Sequence, residues 1–182
     1  MADIIQQLQK DHLNAVKLLD ILEVQVRTLH EDETNDYLLM FDVMHYMRQY
    51  SDLYHHPKED LIFEKLKDRD ASARPIVDKL MVEHKAIEEK GAQFFESLQA
   101  IVNESIVSRE TLESQGHSYI TLVYSHMKKE EDQVFPLASK LLREEDWAEI
   151  DMAMESKADP VFGGAVEEKY RTLYKFLIQQ DA

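Results

Sequence analysis

Apolar positions recur with helical spacing along almost the whole chain. Ile4, Ile5, Leu8, His12, Ala15, Val16, Leu19, Leu22 and Val26 share one face of a helix over about residues 3–30, and the pattern dissolves in the acidic run 31–36. A second run covers about 37–66, through Met44, Met47 and His55, and stops in a charged stretch before Pro75; Pro57 predicts a kink inside it. A third covers about 72–102, through Val77, Leu80, His84, Ile87 and Phe94, and ends at the polar turn around Asn103 and Ser105. A fourth starts near Ser108 and continues past Tyr119, Leu122, His126 and Val134, with Pro136 bending its last turns.

Short connections between long helices predict antiparallel neighbours. The fold expected is therefore all-α, an up-down-up-down four-helix bundle over residues 1–142. Residues 143–182 read as a short helical appendage packed on that bundle. It comprises an acidic amphipathic piece around Trp147, Ile150 and Met154, breaks at Asp159-Pro160 and Gly163-Gly164, and a helix over about 165–178. Val166, Tyr170, Leu173 and Leu177 make one stripe on that helix, which must cover something.

Composition narrows the chemistry. Four glycines and four prolines in 182 residues leave too few turns for a sandwich or barrel. The absence of cysteine removes disulfides, thiolate zinc sites, iron–sulfur ligation and a cysteine nucleophile, so any metal must sit on His, Asp and Glu. With 21 Lys plus Arg against 36 Asp plus Glu the net charge is −15, which argues against nucleic-acid and anionic-membrane partners and makes cations the natural counterparts. The first residues lack a leader-like pattern and no stretch approaches the roughly 18 apolar residues of a membrane span, so cytoplasmic residence is expected.

Eight histidines invite a test for metal ligation. Four have an acid four residues later, on the same helical face: His55 with Glu59, His56 with Asp60, His84 with Glu88, and His126 with Glu130. A long-range signal comes from reflecting each antiparallel pair about its turn. The midpoint of positions 12 and 55 is 33.5, that of 55 and 84 is 69.5, and that of 84 and 126 is 105; each falls in a turn chosen on other grounds. His12, His55, His84 and His126 are therefore expected at one height, one per helix. His45 and His117 lie ten and nine residues from that level, about 14–15 Å along a helix axis, and His30 sits at the far end of the first helix. His55 and His56 differ by about 100° in direction on an α-helix. Met44, Ile62 and Leu66 share the stripe of His55, whereas Gln49, Asp60 and Lys67 share that of His56, so His55 is the inward choice and His56 the alternate. With Glu59 and Glu130 one turn further on, six ligands converge. Six suffice for two cations, with carboxylates bridging them and positions left open for a small molecule.

These residues resemble the hemerythrin-like family of HHE cation-binding domains over about residues 3–142. The resemblance rests on QKDH (His12), YHHPKEDLIFEKL (His55, Glu59), VEH (His84) and SHMKKEEDQVFPL (His126, Glu130), of which the second and fourth also resemble each other. It implies a four-helix bundle with two non-haem iron ions cycling between Fe2+ and Fe3+, joined by a bridging oxo or hydroxo group. It also implies a small diatomic or peroxide ligand, bound or sensed as oxygen, nitric oxide or peroxide, or a role in iron handling; the alternative is an enzyme turning over peroxide or nitrogen oxides. A monomer or homodimer is expected. Two departures stand out: Glu88 occupies a position where oxygen carriers of the family have histidine, and Glu130 competes with Glu131 for the last carboxylate, with Glu130 the closer angular match. A site poor in imidazole favours ferric iron, so stable reversible oxygen carriage is expected to fail. Tyr119, on the stripe of His126, is expected to be a packed core tyrosine rather than an electron relay.

Overall fold

The computed structural model describes residues 2–30, 35–153 and 157–180; Glu31 to Thr34 and Met154, named above, fall outside them. Four long helices pack as a bundle, shorter helices follow, and the described residues contain no strand. The first helix is α1 (Ala2–Arg27), closed by a 3₁₀ turn over Thr28–His30. The second is composite: α2 (Tyr37–Tyr46), nine residues of π-helix (Met47–His55), and α3 (His56–Arg69). The third, α4 (Arg74–Val102), is regular throughout. The fourth is composite again, with α5 (Arg109–Lys129), a π-helical turn (Glu130–Val134) and α6 (Phe135–Leu141). No described helix is long and apolar enough to cross a membrane.

Local chemistry starts the helices where the polar residues stand. The Asp36 carboxylate accepts from Leu39 N–H at 2.9 Å and the Ser108 hydroxyl from Thr111 N–H at 3.1 Å, each satisfying a donor with no intrahelical partner. Pro57, Pro75 and Pro136 each stand in the first turn of an α-helix, where the missing N–H costs nothing. Pro57 thus begins a new helix after the π segment instead of kinking a continuous one. Gly116 sets the approach of α5 to α1: a Cβ there would lie 2.6 Å from Val26 Cγ2, so no larger residue fits without displacing the first helix.

The core is two apolar clusters rather than one. A larger cluster joins Leu18, Leu22, Met40, Met44, Phe94, Tyr119 and Val123; a smaller one joins Leu8, Phe63, Leu66, Val77, Leu80, Val134 and Phe135. Between them, at the same level on all four helices, lies a buried polar layer. Tyr119 packs in the larger cluster against Gly91, as a core residue.

The C-terminal segment closes against both clusters. Trp147 and Ile150 of α7 (Glu144–Ala153) join the smaller one, and Arg69 grips Asp146 with two hydrogen bonds of 2.8 Å. The last helix, α8 (Arg171–Gln180), begins later than its apolar stripe suggested, because Glu168–Tyr170 form a 3₁₀ turn before it. Tyr170, Leu173 and Leu177 are buried in the larger cluster, and Tyr170 is hydrogen-bonded to His45 Nδ1 at 2.9 Å. Asp159 is the hinge of the connection: its carboxylate accepts from Val161 N–H and Phe162 N–H at 2.8 Å and from the Tyr46 hydroxyl at 2.9 Å.

Candidate metal centre

Each regular helix brings one histidine into the polar layer, His12 from α1 and His84 from α4. Each composite helix brings a histidine and a glutamate one turn apart: His55 with Glu59, and His126 with Glu130. Both glutamates are fully buried. The composite second helix also brings a fifth imidazole, because His56 stacks on His84 with ring centroids 4.4 Å apart and meets His126 edge-on at 5.9 Å.

The helical period explains how both His55 and His56 turn inward. On an α-helix, neighbours diverge by about 100° and one of them must leave the core. The chain between Met47 and His55 is π-helical, so more residues make each turn and successive side chains diverge less. The choice between the two histidines, forced under an α-helical period, does not arise.

The glutamates stand between two sets of imidazoles. Glu59 turns Oε1 toward His12 Nε2 (3.3 Å) and His55 Nε2 (3.1 Å), and Oε2 toward His84 Nε2 (3.4 Å). Glu130 turns Oε1 toward His126 Nε2 (3.0 Å) and His84 Nε2 (3.5 Å), and Oε2 toward His12 Nε2 (3.4 Å). One group of converging donors is His12, His55 and Glu59; the other is His56, Glu59, His84 and His126.

A second layer of carboxylates holds the outer nitrogen of every ring. Asp11 lies 3.3 Å from His55 Nδ1, Glu131 2.8 Å from His12 Nδ1, Asp60 2.9 Å from His84 Nδ1, Glu83 3.2 Å from His126 Nδ1, and Asp52 3.4 Å from His56 Nδ1. A carboxylate on Nδ1 fixes the tautomer that presents a bare Nε2 lone pair inward, the arrangement metal-ligating imidazoles use. Glu131 therefore works behind His12 and Glu130 inside the layer. Glu88 is exposed and outside both groups. His45 bonds Tyr170, and His117 is exposed beside Glu113.

Sequence reasoning missed the roles of Asp11, Asp52, Asp60 and Glu83. The signal was present: an acid directly precedes both His12 and His84, and an acid directly follows Glu59 just as Glu131 follows Glu130. Asp11, Asp60 and Glu83 each serve a ring on another helix, which adjacency along the chain does not disclose, whereas Asp52 serves His56 one turn on in its own helix.

The layer makes poor sense as a self-contained polar network. His12 Nε2, His84 Nε2, His126 Nε2 and all four oxygens of Glu59 and Glu130 are buried without a hydrogen bond. Leaving one such group unsatisfied costs about 1–3 kcal/mol, more when it is charged, and seven meet at one point. Without a cation the layer is electrically neutralised by protons. Burial opposes protonation of His12, but Glu131, Glu59 and Glu130 outweigh it and lift the ring to about 10. His84 is lifted against burial to about 12 by Asp60 and both central glutamates, and His55 to about 8 by Glu59 and Asp11. Burial, reinforced by neighbouring His84, pushes His56 below its ordinary value. Against their burial, Glu59 and Glu130 are both held below the usual carboxylate range by the surrounding imidazoles. Hard carboxylate oxygens with borderline imidazole nitrogens, enclosed and proton-exchangeable, form a donor set suited to first-row divalent and trivalent cations.

A small cavity of ≈ 20 Å³ adjoins the layer. It reaches His12, His55, His56 and His126 and is walled by Met47, Met127 and Tyr50 among others. One water-sized or diatomic body fills such a space. A family model described as hemerythrin HHE cation binding domain matches residues 3–138 of the chain. No curated protein matches it.

Proposed function

We propose that this chain, which belongs to the hemerythrin HHE cation-binding domain family, holds two non-haem iron ions and uses them to bind or sense oxygen, nitric oxide or peroxide. The observation that carries the reading is the pair of buried donor groups sharing Glu59, with Glu130 facing both, beside a cavity with room for one diatomic molecule. His12 and His55 would hold one ion and His56, His84 and His126 the other, with both glutamates between them. Iron supplies a redox-active centre whose open position takes a small ligand.

The protein's own groups favour binding over conversion of a larger substrate. The cavity has room for a body of about water or diatomic size, and its walls are mainly apolar. Tyr50 lines it, keeps its proton because burial raises its pKa, and has no hydrogen-bond partner among the described residues, so its hydroxyl is free to donate to a ligand. The fifth imidazole also alters the expectation about oxygen carriage. That expectation rested on a site poor in imidazole, whereas His56 supplies the ring that Glu88 does not, so reversible oxygen binding belongs among the proposed roles.

The test is iron reconstitution followed by metal analysis and an optical spectrum. Two irons per chain, with a spectrum that changes on adding nitric oxide or oxygen to reduced protein, is the expected result. One iron or none overturns the di-iron reading. Sustained consumption of added peroxide at the loaded centre would replace the binding role with the enzymatic one.

A further inference from the structure

We infer that Met127 is an oxidation site for peroxide, and that the sulfoxide formed there closes the cavity beside the metal layer. The inference rests on the reading that this cavity receives a peroxide-sized ligand. Two methionines, Met47 and Met127, line the cavity. Met47 is 2 % exposed and Met127 7 %, whereas Met152 stands 87 % exposed on α7. Peroxide in bulk solution attacks the accessible thioether first, so only peroxide collected in the cavity puts Met127 ahead of Met152.

Met127 lines two spaces. One is the ≈ 20 Å³ cavity, which it shares with His12, His55, His56 and His126. The other is an open groove of ≈ 610 Å³ between α1 and α5, where Leu13, Val16 and Tyr124 supply apolar wall. His12 and Met127 are the residues common to both linings. The His12 ring is fixed, with Glu131 2.8 Å from Nδ1 and Phe135 stacked on it at 5.5 Å. Met127 is the movable member of the pair, because an unbranched thioether chain turns about several bonds. A small molecule going from the groove to the cavity therefore passes the Met127 sulfur. The other cavity methionine is the poorer nucleophile: Met47 Sδ accepts a hydrogen bond from the Ser51 hydroxyl at 3.9 Å, which occupies a lone pair. Met127 Sδ receives none among the described residues.

The chemistry needs no further reactant. The thioether sulfur gives an electron pair to one oxygen of hydrogen peroxide, an S–O bond forms as the O–O bond breaks, and the leaving oxygen takes the proton of the transferred one. Thioether and hydrogen peroxide thus become sulfoxide and water, with sulfur oxidised by two electrons and peroxide reduced by two. The product matches the space. A cavity that holds one water-sized body has no room for a ligand once the sulfoxide oxygen stands in it. Oxidation also turns an apolar stretch of wall into a polar one.

The experiment treats iron-reconstituted protein with limiting hydrogen peroxide and maps sulfoxide at each methionine by peptide mass spectrometry, with metal content measured on the same sample. Met127 sulfoxide is expected to form about tenfold faster than Met152 sulfoxide, because peroxide held beside a sulfur acts at a high effective concentration. Met152 leading overturns the inference whether or not iron has bound, and so does Met47 leading Met127. Metal content scores the di-iron reading separately: Met127 leading without iron removes that reading and keeps the oxidation site, and two irons with Met152 leading does the reverse. Closure is read on the loaded, re-reduced protein as its optical response to nitric oxide, which peroxide pretreatment should largely abolish. Met127→Leu removes the sulfur at nearly constant volume, so its own response should be the same before and after pretreatment. Loss of response in pretreated Met127→Leu would overturn the closure. The sulfoxide map uses no variant and decides the oxidation site even if Met127→Leu fails to fold.

Discussion

The two halves of the bundle build the metal layer from matching parts. In the first half His12 faces His55 and Glu59, and in the second His84 faces His126 and Glu130. The supporting carboxylates match as well: Asp11 behind His55 answers Glu83 behind His126, and Glu131 behind His12 answers Asp60 behind His84. Even the apolar floor repeats, with Phe135 stacked on His12 at 5.5 Å and Phe63 on His84 at 5.6 Å. The difference is one residue. His56 follows His55, whereas Met127 follows His126. The second donor group therefore has three imidazoles and the first has two, and the small cavity touches both groups, His12 and His55 of the first and His56 and His126 of the second, with Met127 in its wall. A symmetric framework offers two donor groups, and the one asymmetric position gives the second a third imidazole.

The placement of the π-helices underlies this. In the second helix the π segment ends at His55, which lets His55 and His56 both turn inward; in the fourth it begins at Glu130, after the histidine, and instead moves Phe135 under His12. The same local device turns an extra imidazole inward in one half and improves packing in the other.

The strongest blow to the shared framework is loss of a central carboxylate. Glu59→Ala and Glu130→Ala are each expected to abolish binding of both metal ions, measured as metal per chain after reconstitution, because each glutamate faces imidazoles of both groups. Retention of one tightly held ion in either variant would break the idea that the halves share their carboxylates.

Exchanging the asymmetric residue comes next. His56→Met should make the halves alike at two imidazoles each and weaken the second group's hold on iron to about that of the first, while His55→Ala, leaving a single imidazole, should empty the first group. Met127→His should keep two irons but fill the cavity, so that the optical response to nitric oxide is lost. A normal response in Met127→His would show that the ligand position lies elsewhere.

Smaller effects are expected one layer out. Asp11→Ala and Glu83→Ala, counterparts in the two halves, should each weaken metal binding by about 10–100-fold, since each frees a ring to rotate. Glu88→Ala, exposed and remote, should leave affinity unchanged. Competition with a chelator distinguishes these outcomes.

The gentlest probe is pH. In the metal-free protein His55 and His12 have raised pKa values, so their contribution to stability is fully present below about 6.5 and is lost as pH rises through about 8 and then about 10. The melting temperature of metal-free protein should fall over that range. Metal binding must displace the same protons, so apparent metal affinity should rise with pH over it. His56, whose pKa is lowered, is already neutral, so His56→Met should leave the number of protons released per metal bound at the remaining sites unchanged. Parallel slopes for metal-free stability and metal affinity would contradict this arrangement.

Much of the architecture followed from one-dimensional information. The period of apolar residues gave four helices, and the acidic, cysteine-free composition restricted any metal to imidazole and carboxylate. Reflection about the turns placed His12, His55, His84 and His126 at one height because antiparallel helices rise by a constant amount per residue. That reasoning assumes a uniform period, and it fails where the period changes. His56 was set outward because nothing in MRQYSDLYH declares a π-helix; packing of Tyr46, Met47 and Tyr50 among the other helices selects it. The carboxylates behind the rings escaped for a related reason, since Asp11, Glu83, Glu131 and Asp60 each support a histidine on a different helix. Helical height is a property of one chain segment, legible along the sequence; helical phase through a π segment and pairing between helices depend on how several segments press together, and only the tertiary structure decided them.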